Sequence, residues 1–458
     1  MTNNPYRLGW IPVLTEGKRN VSFAIAQALA DDIKTGRLKA GERLPPQRLL
    51  AYTLGLNPGT VHKAYKLATA KGLITGEVGR GSFVKSSAEK NLSWPNENPY
   101  ERTIDFCDNY PCPVRNPAAI RKRLAELSAS PLLQQLLQYQ QNSALMNHKV
   151  TGASWLSRFG IRTEPENVII ASGALHAGFI SLLTLSRPGD LILTEEFTSQ
   201  AIKGAASRLK LRLKGIKMDG HGIIPEHLEE LLKKERVSLA YLVPTLHNPT
   251  ATLLPLARRK KVAALLAKYG VPLIEDDIFA PLLETPLPPI SSFLPESSFY
   301  IAGLSKAVAP ALRLAFLKVP KKFYHETMGN LRITTWLASP LLMELAAKLI
   351  SCGDADRLIK EQKAEIRKRH EMLKETFRGF DCSSHADALH AWVALPEPWR
   401  AASFRDVLAK KEVLVLSADS FAAERSNSTH AIRICLGTPP QRAKVAEGLQ
   451  IIRDSLIN

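Results

Sequence analysis

At 458 residues the chain is long enough for two or three domains around a sizeable buried core. No uncharged apolar run approaches the roughly 18 residues a membrane helix needs, and the opening MTNNPYRLGWIP lacks a signal peptide's apolar stretch. The cysteines Cys107, Cys112, Cys352, Cys382 and Cys435 are scattered without a CxxC pair. These features argue against membrane, zinc and disulfide-scaffold classes, and lead us to expect a cytoplasmic protein with no metal site. The net charge of +18 is uneven: residues 1–86 hold 13 Lys/Arg against 5 Asp/Glu. Such a front end suits a polyanion, because neutralised phosphates release counterions.

In chain order, the apolar positions Ile25, Ala28, Leu29 and Ile33 recur at helical spacing between Asn20 and Thr35, and Gly36 stops that helix. After GRLKAGERLPP comes a short helix, QRLLAYTL, with Leu49, Leu50 and Leu54 facing inward, then the tight connection Gly55-Leu56-Asn57. Asn57 caps a third helix with Pro58 at its first position, and Val61, Ala64, Tyr65 and Ala68 form its apolar stripe. Thr60, His62, Lys63 and Lys66 lie opposite, which makes this the expected recognition helix. In GLITGEVGRGSFV, two short β runs flank Gly79, Arg80 and Gly81, a turn that carries one arginine outward.

This order of helix, LPPQR, helix and GRGSFV resembles the GntR family of bacterial regulators, with residues 1–85 as a winged helix-turn-helix domain. The resemblance implies a double-stranded DNA operator as partner, contacted by Arg48, Arg80 and Gly81.

Residues 86–103, polar and proline-bearing, read as a linker. Over 104–458 the apolar runs NVIIASG, DLILTEE, LAYLVPT, VPLIEDD and FYIAGLS alternate with stretches long enough for helices, the pattern of an α/β domain. Lys306 follows one such strand in LSKAVAPALR, with Arg313 close behind; VPLIEDD delivers Asp276 and Asp277 at a strand end. The turn into a helix at Gly173, Ala174 and Leu175 offers free backbone amides to an anion. An amine, a carboxylate and an anion cradle are what pyridoxal 5′-phosphate requires.

The series SGALHAG, YLVPTLHNPTA, LIEDDIF, LSKAVAPALR and HAIRICLG resembles the fold-type I aminotransferases. With the GntR-like front, the whole chain resembles the MocR subfamily. That resemblance implies a large α/β domain with a smaller C-terminal α+β subdomain, and a head-to-tail homodimer. It implies an imine between Lys306 and the cofactor, Asp276 at the ring nitrogen, Asn248 at the ring hydroxyl and Arg313 at the phosphate. It further implies Arg433 for the carboxylate of a small amino acid or amine effector, and Tyr139 reaching the partner subunit's phosphate.

Several positions depart from the family pattern. Gly303 replaces a serine, Ser199 a ring-stacking tyrosine with Phe197 as its stand-in, Phe279 a tyrosine, and Ala251 the glycine of NPTG. We therefore expect cofactor binding, and sensing of an amino acid, an amine or the cofactor itself, without efficient turnover. A working aminotransferase with a tethered DNA-binding domain is the alternative, and a large domain serving only as a dimerisation scaffold is a third reading.

Overall fold

The computed structural model describes residues 10–13, 21–39, 41–70, 73–77, 81–84, 103–114, 117–139, 145–424 and 429–457. The chain divides into two compact units, Met1–Asn98 and Pro99–Asn458. Of the expected linker, only Thr103 falls within the described residues.

In the first unit, helices α1 (Val21–Lys34), α2 (Gln47–Thr53) and α3 (Pro58–Ala70) precede the antiparallel pair β1 (Ile74–Glu77) and β2 (Gly81–Val84). Ile25, Leu29, Leu50, Val61, Tyr65 and Ile74 build its core, while Ala28, Ile33, Leu49 and Leu54 are only partly covered. Trp10 closes the core, its indole donating to the buried carboxylate of Asp32 at 2.7 Å.

In the second unit a seven-stranded sheet sits among helices. Its strands are β3 (Val168–Ala171), β4 (Leu191–Glu195), β5 (Arg212–Ile216), β6 (Val237–Leu242), β7 (Leu273–Asp276), β8 (Ser298–Gly303) and β9 (Ala315–Lys318), in the order β3-β9-β8-β7-β6-β4-β5. Only β9 runs against its neighbours. Strands covered on both faces are continuous apolar runs, and β3, β4 and β8 are buried at every position. The chain leaves β3, β4, β6, β7 and β8 at one edge, where open α/β sheets bind ligands. A four-stranded antiparallel sheet follows, β10 (Cys382–Ser384), β11 (His390–Ala394), β12 (Leu416–Ser417) and β13 (Ala431–Cys435), in the order β10-β11-β13-β12. A two-residue strand, Ile104–Asp105, runs parallel to Val413–Leu414, so the start of this unit packs against its end. Among the described residues no single helix is long and apolar enough to cross a membrane, and no cluster of His, Cys, Asp or Glu is placed to hold a metal.

Candidate functional site

On the first unit, the side-chain oxygen of Asn57 accepts the Gly59 amide at 2.8 Å and opens α3. The apolar stripe of α3 is buried; His62, Lys63 and Lys66 are exposed and Thr60 is half-buried. The Tyr65 hydroxyl donates to the Pro45 carbonyl at 2.9 Å, which fixes α3 against the LPP turn and places exposed Arg48 in the first turn of α2. Gly81 has φ +116°, and a Cβ there would lie 3.0 Å from the Arg43 side chain. Arg80 lies outside the described residues. The sequence reading missed two neighbours of this face, Arg43 beside the wing and Gln47, whose amide oxygen lies 3.0 Å from His62 Nδ1.

In the second unit, Gly173 holds φ +92°, a conformation glycine adopts at no steric cost, and opens α4 (Ala174–Leu185). A Cβ on Gly173 would sit 3.1 Å from the Arg313 guanidinium, so these two residues form one cradle. Leu175 is exposed and Ala174 half-buried, both in the first turn, where backbone amides lack helical partners.

Strand alternation separates the two aspartates that end VPLIEDD. Asp277 accepts from the buried Tyr300 hydroxyl at 2.7 Å, whereas Asp276 accepts from the Tyr241 hydroxyl at 2.6 Å. The register sets Tyr241 opposite Ile274 on the neighbouring strand. Desolvation raises the Asp276 carboxyl to about 6, against the lowering effect of the Tyr241 hydrogen bond. Its second oxygen, Oδ1, like that of Asp277, is buried and has no hydrogen-bond partner among the described residues. The same holds for the Ser305 hydroxyl, next to Lys306. Desolvation lowers the Lys306 amine to about 8.

Lys306 donates to the Asn109 carbonyl, and the Asn109 amide meets His390 Nδ1 at 3.0 Å. Arg433, on β13, donates to Asn248 Oδ1 at 2.6 Å and to the Cys107 carbonyl, with its guanidinium 4.6 Å from the centre of the Phe421 ring. Thus Lys306 and Arg433 both engage carbonyls of one segment, residues 107–109. The loop bearing Asn248 is held from two sides. Glu195 accepts the Val243 amide at 2.6 Å, and His390 Nε2 meets the His247 carbonyl at 2.8 Å.

An orphaned carboxylate oxygen, an amine of lowered basicity and an arginine closed over a glycine-opened helix are a donor set that fits pyridoxal phosphate.

Residues 22–84 match the model of bacterial regulatory proteins, gntR family, and residues 104–449 match aminotransferase class I and II. The HTH-type transcriptional regulator YdeF of Bacillus subtilis is 31% identical over 463 residues, covering 98% of this chain and 97% of the relative. The chain belongs to the MocR subfamily of GntR-type regulators. This MocR chain is also 27% identical to the vitamin B6 salvage pathway transcriptional repressor PtsJ of Salmonella typhimurium, over 90% of its own length and 94% of the relative's. Among solved structures, an archaeal alanine:glyoxylate aminotransferase superposes with a TM-score of 0.72 at 20% identity, covering 81% of this chain and 92% of that one. The α-aminoadipate aminotransferase LysN of Thermus thermophilus gives 0.70 at 22%, covering 78% and 92%. These two likenesses establish the fold.

The departures from the aminotransferase pattern have visible consequences in this MocR chain. Ser199 caps helix α5 (Gln200–Arg208), its hydroxyl accepting the Ile202 amide at 3.3 Å. Phe197 packs on Trp392 with ring centres 5.3 Å apart, within a cluster that includes Phe421. Phe279 is buried against His390. Ala251 takes φ +58°, a left-handed conformation that costs an alanine about 1 kcal/mol or more. Tyr139 is 88% exposed and meets Trp336 edge-on at 6.2 Å, so its own subunit does not bring it to Lys306. The sequence reading missed Tyr241, Cys107 and Asn109. A lone tyrosine inside the apolar run LAYLVPT was the available signal for the first; FCDNYPC has no periodicity that marks the others.

Proposed function

We propose that this chain is a DNA-binding transcription regulator that holds pyridoxal phosphate as an imine on Lys306 and converts the arrival of a small amino acid or amine into altered operator binding. The observation that carries the reading is the buried Asp276 carboxylate, close enough to Lys306 for each to act on the other's charge, set with Arg313 at one sheet edge of a chain whose other unit presents basic side chains outward. When bound, the cofactor supplies an electrophilic carbonyl carbon and a ring that withdraws electrons.

The chain's own residues divide the remaining work. Lys306, lowered to about 8, offers a neutral amine at a pH where an ordinary lysine is charged. Asp276 would accept the ring N–H, a charge-assisted hydrogen bond that would offset the cost of desolvating the carboxylate. Because Arg433 occupies Asn248 Oδ1, the Asn248 NH₂ is left to donate to the ring oxygen. The amides of Gly173, Ala174 and Leu175 would hold the phosphate with Arg313. Tyr139, exposed on its own chain, would be free to reach the phosphate in a head-to-tail partner.

Arg433 meets the effector's carboxylate, a planar bidentate task. Its two terminal nitrogens now bond Asn248 and Cys107, and a bidentate carboxylate would compete for them, while an occupied Lys306 would no longer donate to Asn109. Both events loosen residues 107–109, in the stretch that opens the large unit just after the DNA-binding unit in sequence. A ligand shifts an equilibrium only through contacts that differ between states, and these are such contacts.

Turnover asks for more than binding. Ser199 is a helix cap and Phe279 has no hydroxyl, so two groups that clamp the ring in aminotransferases are missing, and residues 104–458 serve sensing rather than flux. The name of PtsJ, tied to vitamin B6 salvage, favours the cofactor itself as a second effector candidate.

The test is absorbance with added pyridoxal phosphate, then borohydride reduction and peptide mapping. The expected result is a visible band and a reduced adduct on Lys306. No band, or an adduct on a different lysine, contradicts the reading.

A further inference from the structure

The loop bearing Asn248 and the segment 107–109 are joined twice. Arg433 reaches Asn248 Oδ1 and the Cys107 carbonyl with its two terminal nitrogens. His390 joins the same two pieces of chain with its ring nitrogens, Nδ1 meeting the Asn109 amide at 3.0 Å and Nε2 the His247 carbonyl at 2.8 Å. On the antiparallel pair of β11 and β13, His390 stands opposite Cys435 and Trp392 opposite Arg433, so His390 and Arg433 rise from one face of this sheet. Two side chains of one sheet face therefore grip the same loop and segment.

The chemistry of the two grips differs. A backbone carbonyl only accepts, so Nε2 of His390 carries a hydrogen and donates it to His247. Burial, with the Arg433 charge nearby, holds the imidazole well below the usual histidine range. The ring is therefore neutral, and Nδ1 is left to accept from the Asn109 NH₂. The reverse setting of that amide would bring two acceptors together, which leaves the Asn109 side chain one orientation. His390, His247 and Asn109 are 0, 2 and 9% exposed, so their own chain buries them. The Phe279 ring backs the imidazole at 5.9 Å between centres.

A carboxylate entering the crevice acts on these grips unequally. Arg433 carries a full positive charge in a planar fork, for which a carboxylate competes directly. His390 carries no charge and has both ring nitrogens engaged, so the same carboxylate has no hold on it.

We propose that His390 is a positioning residue, which holds Asn109 to the Asn248 loop and so keeps the cofactor's partners in place while Arg433 exchanges its bonds for a ligand's carboxylate. This rests on the reading of Arg433 and Lys306 given above. With Arg433 withdrawn, the segment 107–109 pivots about the Asn109 side chain and does not part from the loop. Asn248 keeps its place beside the ring, and the Asn109 carbonyl keeps its place beside Lys306.

The test uses Arg433→Met to reproduce the arginine's departure and reads the affinity of the full-length protein for pyridoxal phosphate by equilibrium dialysis. Arg433→Met or His390→Phe alone removes one grip and should weaken binding by about threefold, within the net worth of a hydrogen bond. Together they remove both grips, and the loss should be about thirtyfold or more, beyond the roughly tenfold that two independent losses give by multiplication. His390→Gln, whose amide also offers one acceptor and one donor, should leave the Arg433→Met protein within about twofold of its own affinity. A residue that served the fold alone would cost the same with or without Arg433. Should His390→Phe fail to fold by circular dichroism, Asn109→Ala takes its place with the same expected excess, because it removes the amide and keeps the backbone carbonyl. A double variant at or below the product of the two singles, or a glutamine variant no better than the phenylalanine one, overturns the proposal and leaves the cofactor reading standing. Wild-type protein that takes up no pyridoxal phosphate overturns both.

Discussion

The two units carry their functional side chains in opposite ways. In the first, Arg48, His62, Lys63 and Lys66 stand exposed on a small helical scaffold whose buried residues serve only to orient them. In the second, Arg433 is 4% exposed, Lys306 and Asp276 are partly buried, and the amine and the carboxyl are both pushed off their ordinary values by desolvation. Exposed charges cost little to present and act additively on a polyanion, whereas a desolvated amine and carboxylate stay costly until a partner of matching chemistry arrives.

The sharpest break of that contrast is at the crevice. Lys306→Ala should abolish the visible band and the borohydride adduct outright. Asp276→Ala should weaken pyridoxal phosphate binding by about 10–100-fold, the worth of a hydrogen bond to a charged group. Equilibrium dialysis measures it, and unchanged affinity would remove Asp276 from the ring nitrogen. On the DNA side the effect should be smaller and of a different kind. Arg48→Ala should lower operator affinity modestly and flatten the slope of log K against log salt by about one unit, leaving cofactor binding untouched. An unaltered slope would mean that Arg48 contacts no phosphate.

The pH dependence sharpens the contrast further. Lys306, at about 8, must lose its proton to capture the cofactor, so capture should accelerate as pH rises and level off above that value. A midpoint above 10 would be that of an ordinary lysine and would contradict the desolvated site. The smallest effect is local: Ala251→Gly relieves a left-handed alanine but removes a buried methyl and loosens the unfolded chain, so stability should change by less than about 1 kcal/mol, read from the urea midpoint.

How legible each unit was follows from the same contrast. The helices and paired strands within residues 21–84 were readable because helical periodicity, the Asn57 cap and the short β runs are local features, and the observed helices lie within a residue or two of the expected ones. In the large unit, Lys306, Asp276 and Gly173 were legible because each ends or follows an apolar strand. The choice between Asp276 and Asp277 was not fixed by the residues themselves, since both close the same strand. Pleat alternation and the Tyr241 and Tyr300 hydroxyls separate them. Cys107 and Asn109 act through backbone carbonyls, about which side-chain identity says nothing. Tyr139 is exposed and packs on Trp336 away from Lys306, so no apolar pattern or strand end in the sequence marks it.

The central claim, that the cofactor site reports to the DNA-binding unit, is tested most directly by operator affinity measured in parallel on wild type and Lys306→Ala. Each protein is titrated against operator DNA alone, with pyridoxal phosphate, and with pyridoxal phosphate plus each of a panel of amino acids and amines, while keto-acid release is followed in the same samples. The account predicts that at least one ligand changes wild-type operator affinity by about fivefold or more, the ordinary range of allosteric coupling. It also predicts that the change vanishes in Lys306→Ala and that keto acid accumulates far more slowly than the roughly one turnover per second of an ordinary enzyme. Keto-acid release at enzymatic rates, with operator affinity indifferent to every ligand, would contradict it.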